Sequence, residues 1–316
     1  MTAPRTPLPR RLAAGLAALA AGLLAACSPS GSAPGADAAD QPTIVATTNI
    51  LGDIVARVAG DQARVVTLMP ANADPHSFGV SAQDALVMQE ADLLVANGLG
   101  LEEGLAANID AAEQAGTPLF EAGDHIDVLQ YATEDASGPD PHFWTDPAQV
   151  ETLVAALADE IVSIVPGVDE AALRASADAY RQEVAELGDY MTRRFNEIPA
   201  DRRALVTNHH VFGYLANAFG FEIIGAVIPG GATLAAPSAS DLKDLADAID
   251  EAGVPAIFAE SSSPDKLVQA LAEQVGIDVQ VIPLYTESLT DADGEAPTYL
   301  DMMRVDTDLI ADALSR

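Results

Sequence analysis

Short apolar strands alternate with helical runs along this chain twice over, and between the two passages lies one long helical stretch. In the first passage TIVATT (43–48), ARVVTLM (63–69) and ADLLVANG (91–98) read as strands. Helical runs follow them at 50–60, 81–91 and 102–116. In the second, RALVTN (203–208), FEIIGAV (221–227), PAIFAE (255–260) and DVQVIPL (278–284) read as strands. They alternate with helices at 211–218, 238–253, 263–276 and 296–314. Such alternation produces parallel sheets, because a strand reaches a parallel neighbour only through a crossover, usually a helix. The predicted class is therefore α/β, with parallel sheets covered by helices in two lobes. Residues 121–141 read as a loop with weak strand content, and Pro147 opens a helix to about residue 164. The stretch 169–197 is rich in Ala, Leu, Glu and Arg, which favour helix. At 1.5 Å per residue it spans roughly 40 Å, about the height of a domain. The expected segmentation is an N-terminal lobe at 43–166, a linking helix at 167–198 and a C-terminal lobe at 199–316.

The first residues are a targeting segment and not part of the fold. Arg5, Arg10 and Arg11 precede an apolar run at 12–26 that is short for a transmembrane helix. The run ends in Leu24-Ala25-Ala26-Cys27, which resembles the lipobox of bacterial lipoproteins. Cys27 is the only cysteine, so it forms no internal disulfide, and it is expected to carry the lipid. Residues 1–27 are thus read as signal peptide and lipobox, with Sec and twin-arginine export both open. The Ser/Gly/Pro-rich residues 28–42 read as a flexible tether. The expected location is extracytoplasmic, with Cys27 in the cell membrane. A net charge of −33 repels a phosphate backbone and excludes a nucleic-acid partner.

The chemistry concentrates in histidines. The chain has five, and four of them occupy three places. His76 ends Asp74-Pro75-His76, His142 ends Asp140-Pro141-His142, and His209-His210 follows RALVTN. Each place follows an apolar run. Imidazoles brought together from separate strand ends most often bind a transition metal. A carboxylate from the last strand end completes a four-donor set, with Glu287 in PLYTESL the candidate. Glu260 in IFAESSS and Asp291, Asp293 and Glu295 remain as alternatives. Three imidazoles and one carboxylate suit Zn²⁺ and disfavour Mg²⁺ and Ca²⁺. Asp74 and Asp140 could each orient the neighbouring ring or cap its turn, and Trp144 could wall off water. The chain carries no GxGxxG and no P-loop.

Lipobox, DPH after the second strand, DPHFWTDP, VTNHHVFGYLANAFG and PLYTESL, in this order, resemble the cluster A-I (cluster 9) solute-binding lipoproteins of bacterial ABC importers for zinc and manganese. The resemblance spans about residues 43–316. It implies two (β/α)4-like lobes joined by a rigid helix, with metal in the cleft between them. It implies His76, His142, His209 and Glu287 as ligands. His209 is preferred to His210 because the family places its ligand three residues before the aromatic at Phe212. Histidine at that position resembles the zinc branch, and NHHVFGYL and PSASDL resemble the AztC-type zinc receptors. The family more often carries Asp where Glu287 stands, and many zinc members have a His-rich loop where this chain has the acidic Glu134-Asp135 to Asp140.

The expected function is a monomeric, non-enzymatic Zn²⁺ receptor that delivers metal to an ABC permease and its ATPase. Three alternatives differ in kind. One is a Mn²⁺ or Fe²⁺ receptor on the same scaffold, and another an adhesin-type surface lipoprotein. The last is a zinc hydrolase with an open coordination position and Glu287 or Glu260 as its base.

Overall fold

Both sheets grow outward from their first strand. β1 (Thr43–Ala46) lies between β2 (Arg64–Thr67) and β3 (Leu93–Ala96), with β4 (Leu119–Glu121) beyond β3. β5 (Ala204–Thr207) lies between β6 (Glu222–Ala226) and β7 (Ala256–Glu260), with β8 (Gln280–Leu284) beyond β7. Every pairing is parallel. The two halves thus repeat one strand order, and in each the order reverses beside the first strand. Open parallel sheets bind ligands at the carboxyl ends of strands near such a reversal. The computed structural model describes residues 41–131, 136–230, 233, 237–262, 266–275 and 280–315. Cys27, tether residues 28–40, Glu134, Asp135 and the expected ends of the eighth helix and last strand lie outside the described residues.

The crossovers are helices, and α1, α2 and α7 carry side-chain caps. In the first half they are α1 (Asn49–Ala59), α2 (Ala82–Gln89) and α3 (Ala106–Ala115). Thr48 caps α1 by accepting from the Leu51 N–H, and Ser81 with Asp84 forms a reciprocal capping box on α2. In the second half they are α6 (Gly213–Phe219), α7 (Ala239–Ala252) and α8 (Lys266–Val275), and the C-terminal α9 (Tyr299–Leu314) follows β8. α4 (Pro147–Ile164) and α5 (Glu170–Phe195) join the halves. Asp146 caps α4 just before Pro147, whose missing N–H costs nothing in the first turn.

α5 is the spine. Its 26 residues extend about 39 Å at 1.5 Å each. Leu173, Ala177, Tyr180, Val184, Leu187, Met191 and Phe195 repeat every three or four residues and are all buried. That stripe packs on α1, α4 and α9. Arg194, in the last turn, is bonded to Asp308 and Asp312 of α9 at 2.6 and 2.8 Å. One continuous apolar core runs from Ile44 and Ile54 through the α5 stripe to Leu205 and Phe258. No described helix is long and apolar enough to cross a membrane.

Three local readings of the sequence are corrected. β4 was not anticipated: Leu119–Glu121 is three residues long and follows Pro118, so it carries no alternation to read. The helix expected at 102 begins at Ala106. Glu102 instead turns its carboxylate back to accept the N–H groups of Asn97 and Gly98 and the Thr47 hydroxyl. α9 begins at Tyr299 rather than 296, because Thr298 supplies the cap.

Leu187 is fully buried in the spine. Leu187→Ala should cost about 2–5 kcal/mol, since the α5 packing cannot collapse onto the gap. Urea unfolding of the metal-stripped protein checks this, and a loss below about 1 kcal/mol would mean α5 is a loosely packed strut.

Candidate metal centre

Four buried side chains from four segments converge. His76, His142, His209 and Glu287 each present one ligand atom, and these atoms lie within 4.8 Å of one another. Glu287 Oε1 is the focus. It lies 2.9 Å from His76 Nε2, 3.1 Å from His142 Nε2 and 3.0 Å from His209 Nε2. The His76 and His142 Nε2 atoms are 3.4 Å apart. A tetrahedral ion with bonds of about 2.0 Å needs neighbouring donors roughly 3.3 Å apart, and four of the donor pairs stand at 2.9–3.4 Å. Among the described residues, three side-chain atoms of the set lack a hydrogen-bond partner: His76 Nδ1, Glu287 Oε2 and His209 Nε2, the last close to Oε1 but poorly aligned. Unsatisfied buried polar atoms cost about 1–3 kcal/mol each, and a cation among the Nε2 atoms and Oε1 would satisfy His209 Nε2.

Each imidazole is aimed by its own segment. In Asp74-Pro75-His76 the Asp74 carboxylate accepts the His76 N–H at 2.9 Å and the Ser77 hydroxyl at 3.0 Å. Thr233, from the other half of the chain, also donates to it. Asp74 thus caps the turn and does not hold the ring. In Asp140-Pro141-His142 the carboxylate does both: Oδ1 accepts the His142 N–H at 3.0 Å and lies 2.8 Å from Nδ1. A ring whose Nδ1–H is donated to Asp140 turns its Nε2 lone pair to the cluster. Asn97 steadies this turn through the Pro141 carbonyl, and Tyr214 through the Asp140 carbonyl. Gly213 is required beside it, because a Cβ there would sit 2.2 Å from Asp140 Oδ2. His209 follows β5 in a turn closed by Thr207, whose hydroxyl donates to the His209 carbonyl at 2.6 Å.

The Glu287 segment is held most heavily. Glu260 Oε2 accepts the Thr286 N–H at 3.0 Å, and Asp306 accepts the Tyr285 N–H at 2.9 Å. Trp144 donates its indole N–H to the Thr286 carbonyl at 2.8 Å. Its ring stands edge-on to His142, at 5.4 Å between centroids, and closes that side to water.

The charges are set for a cation. Burial alone would raise the Glu287 carboxyl, but the three imidazoles, His209 foremost, hold it well below its ordinary range. Burial lowers His209 from its ordinary value, against the opposing pull of the Glu287 carboxylate. Burial would lower His142 too, but the hydrogen bonds of Asp140 and Glu287 prevail and push it up to about 9. Metal must therefore displace a proton from the His142–Glu287 contact. Burial pushes Glu260 well up, with the Glu287 charge adding, and pushes Asp306 up to about 7.

The remaining candidates sit elsewhere. His210 is buried but lines a cleft of about 340 Å³ with Tyr131, Asp140 and Phe221. Glu260 braces backbone, and Asp291, Asp293 and Glu295 are exposed. Sequence reasoning passed over Asn97, Tyr214 and Gly213.

A two-lobed α/β scaffold that buries three imidazoles and a carboxylate, carried on the connections that follow its strands, defines a metal-binding receptor. The chain belongs to the ZnuA family, zinc-uptake complex component A, periplasmic, whose sequence model matches residues 44–313. It is 32% identical over 302 residues to the zinc-binding protein TroA of Treponema pallidum, covering 94% of this chain and 97% of TroA. The solved structure of TroA superposes with a TM-score of 0.80, over 87% of this chain and all of that one. The manganese-binding lipoprotein MntA of Halalkalibacterium halodurans is 28% identical, covering 86% of this chain and 88% of MntA. A manganese-bound periplasmic protein from Candidatus Liberibacter asiaticus matches with a TM-score of 0.77 at 27% identity, over 86% of this chain and 99% of that one.

Two tests follow from this geometry. Asp140→Ala should weaken metal binding about 10–100-fold, because the His142 ring loses its orienting partner. Chelator competition measures it, and unchanged affinity would mean Asp140 serves only the turn. Asp306 tests the electrostatics. Its folded value of about 7 exceeds its ordinary 3.8, so between the two the folded chain binds the extra proton and stability falls as pH rises. Asp306→Asn removes this dependence. Its stability relative to the unaltered metal-free protein should rise from about pH 4 to about pH 7 and stay level above.

Proposed function

We propose that this protein is an extracytoplasmic Zn²⁺ receptor that passes its ion to the permease and ATPase of an ABC importer. The observation that carries the reading is the buried convergence of His76, His142 and His209 on Glu287. Three imidazoles with one carboxylate leave a divalent ion at net charge +1, low enough to bury. Nitrogen-rich four-donor sets of this kind favour Zn²⁺ over the harder Mn²⁺. The likeness to TroA, a zinc-binding protein by name, supports the same choice. MntA, named for manganese, shares the scaffold, so the donor set and not the fold must select the ion.

His76, His142, His209 and Glu287 are proposed as the ligands, and Asp140 as the partner that orients His142. The metal is cargo and undergoes no chemistry. Glu260 is committed to the Ser262 and Thr286 N–H groups, which argues against it as a base for a bound water. Attachment through a lipidated Cys27 is proposed on the Leu-Ala-Ala-Cys pattern and on the lipoprotein naming of MntA. The segmentation into lobes at 43–166 and 199–316 joined by 167–198 is proposed on the two sheets and the α5 spine.

Metal-stripped protein titrated with Zn²⁺ against excess Mn²⁺ tests the reading. One Zn²⁺ should bind per chain, survive the Mn²⁺, and be lost in His142→Ala. Preference for Mn²⁺ would transfer the protein to the manganese branch, and absence of stoichiometric metal would end the receptor reading.

A further inference from the structure

The loop Tyr285–Leu289 is tied to both halves of the fold, and the ties fall on either side of Glu287. On one side Asp306 and Glu260 hold the N–H groups of Tyr285 and Thr286. These come from the same half of the chain as the loop. On the other side the partners come from the first half. Asn49, the first residue of α1, donates from Nδ2 to the Ser288 hydroxyl at 2.8 Å and accepts the Leu289 N–H at Oδ1 at 2.9 Å. The same Nδ2 reaches the Pro70 carbonyl at 3.1 Å, at the start of the segment that leads to His76. Asn72 adds a backbone bond, its N–H donating to the Leu289 carbonyl at 3.0 Å. Asn49 and Ser288 are buried, so these bonds form away from competing water.

We infer that Asn49 is a positioning residue for the metal: through Ser288 and Leu289 it fixes the Glu287 carboxylate against the histidines of the other half, and so governs how long and how selectively the ion is held. The inference rests on Glu287 being a ligand, as proposed above.

The physical argument has two steps. First, Glu287 has one methylene more than aspartate, and only Oε1 is placed among the imidazoles while Oε2 has no partner. A longer side chain delivers a single oxygen reproducibly only if its backbone is fixed, and the Asn49 amide fixes the residues that follow it. Second, the amide joins the Glu287 loop to the segment leading to His76. Parting these two ligands, as any release requires, must first break its bonds. A loop freed from Asn49 could turn both carboxylate oxygens to the ion. That fifth donor suits Mn²⁺ better than tetrahedral Zn²⁺.

The test uses the full-length chain with Asn49→Ala and, separately, Ser288→Ala, which removes one bond and leaves the Leu289 contact. Zn²⁺ release is timed by capture with excess chelator, and the affinity ratio of Zn²⁺ to Mn²⁺ is measured for each. Asn49→Ala should release Zn²⁺ about tenfold faster or more and lower the Zn²⁺:Mn²⁺ ratio, with Ser288→Ala intermediate in both. If Asn49→Ala lowers only the unfolding midpoint of the metal-free protein and leaves rate and ratio unchanged, Asn49 is a packing residue and the inference is wrong. If the unaltered chain holds no stoichiometric Zn²⁺, the receptor reading falls first and this inference with it.

Discussion

A carboxylate sealed from water against three imidazoles is the constraint to which the rest of the structure answers. Glu287 and the three histidines are all buried, and Oε1 lies about 3 Å from each ring nitrogen. Such a set has no use in a core, where apolar residues of equal volume would be at least as stable. Its chemistry suits a cation, and the proposed ligand atoms come from positions 76, 142, 209 and 287, so the tertiary fold alone holds the set together. The scaffold must therefore be stiff, and the shared apolar core with the α5 spine supplies the stiffness.

Carboxylates in this protein do two jobs that composition cannot separate. Glu287 faces the cluster, while Glu102, Glu260 and Asp306 are buried to hold backbone N–H groups that no strand or helix satisfies. Burial raises all three of the latter, a cost borne to fix loops at strand ends. Two of them brace the same loop, directly before Glu287. The site is thus rigid because its surroundings are polar and satisfied, as well as apolar and packed.

The strand–helix rhythm made the α/β class and seven of the eight described strands legible, because period and punctuation are local properties. β4 stayed hidden, since three residues after a proline carry no period. The first turn of α3 was overread, because nothing local shows that Glu102 serves the backbone at Asn97. The three histidine places were legible because histidine is rare here. Choosing His209 over His210 needed the family pattern, since adjacent residues have the same local chemistry. The two Asp-Pro-His repeats look alike and act differently: only Asp140 reaches its ring, and that depends on where Asn97 and Tyr214 anchor the turn. The Asn49–Ser288 contact was beyond reach, because its members stand 239 residues apart and either reads as an ordinary polar residue.

The same stiffness bears on how the ion leaves. The core is continuous between the halves, and α5 packs on both α1 and α9, so a wide hinge opening would expose a large apolar surface. Local motion exposes far less. The polar contacts that Trp144, Asn49 and Asn72 make with residues 286–289 are the ones a small displacement of the Glu287 loop would break. Of the four proposed ligands, Glu287 alone is an anion, and it sits on a segment hydrogen-bonded to both halves. Withdrawing it would leave three neutral imidazoles around a divalent ion, at net charge +2 in a buried site. An ion in that state is costly to retain. Release by loosening one loop is therefore more economical than parting two lobes, and it needs no bend in the helix that joins them.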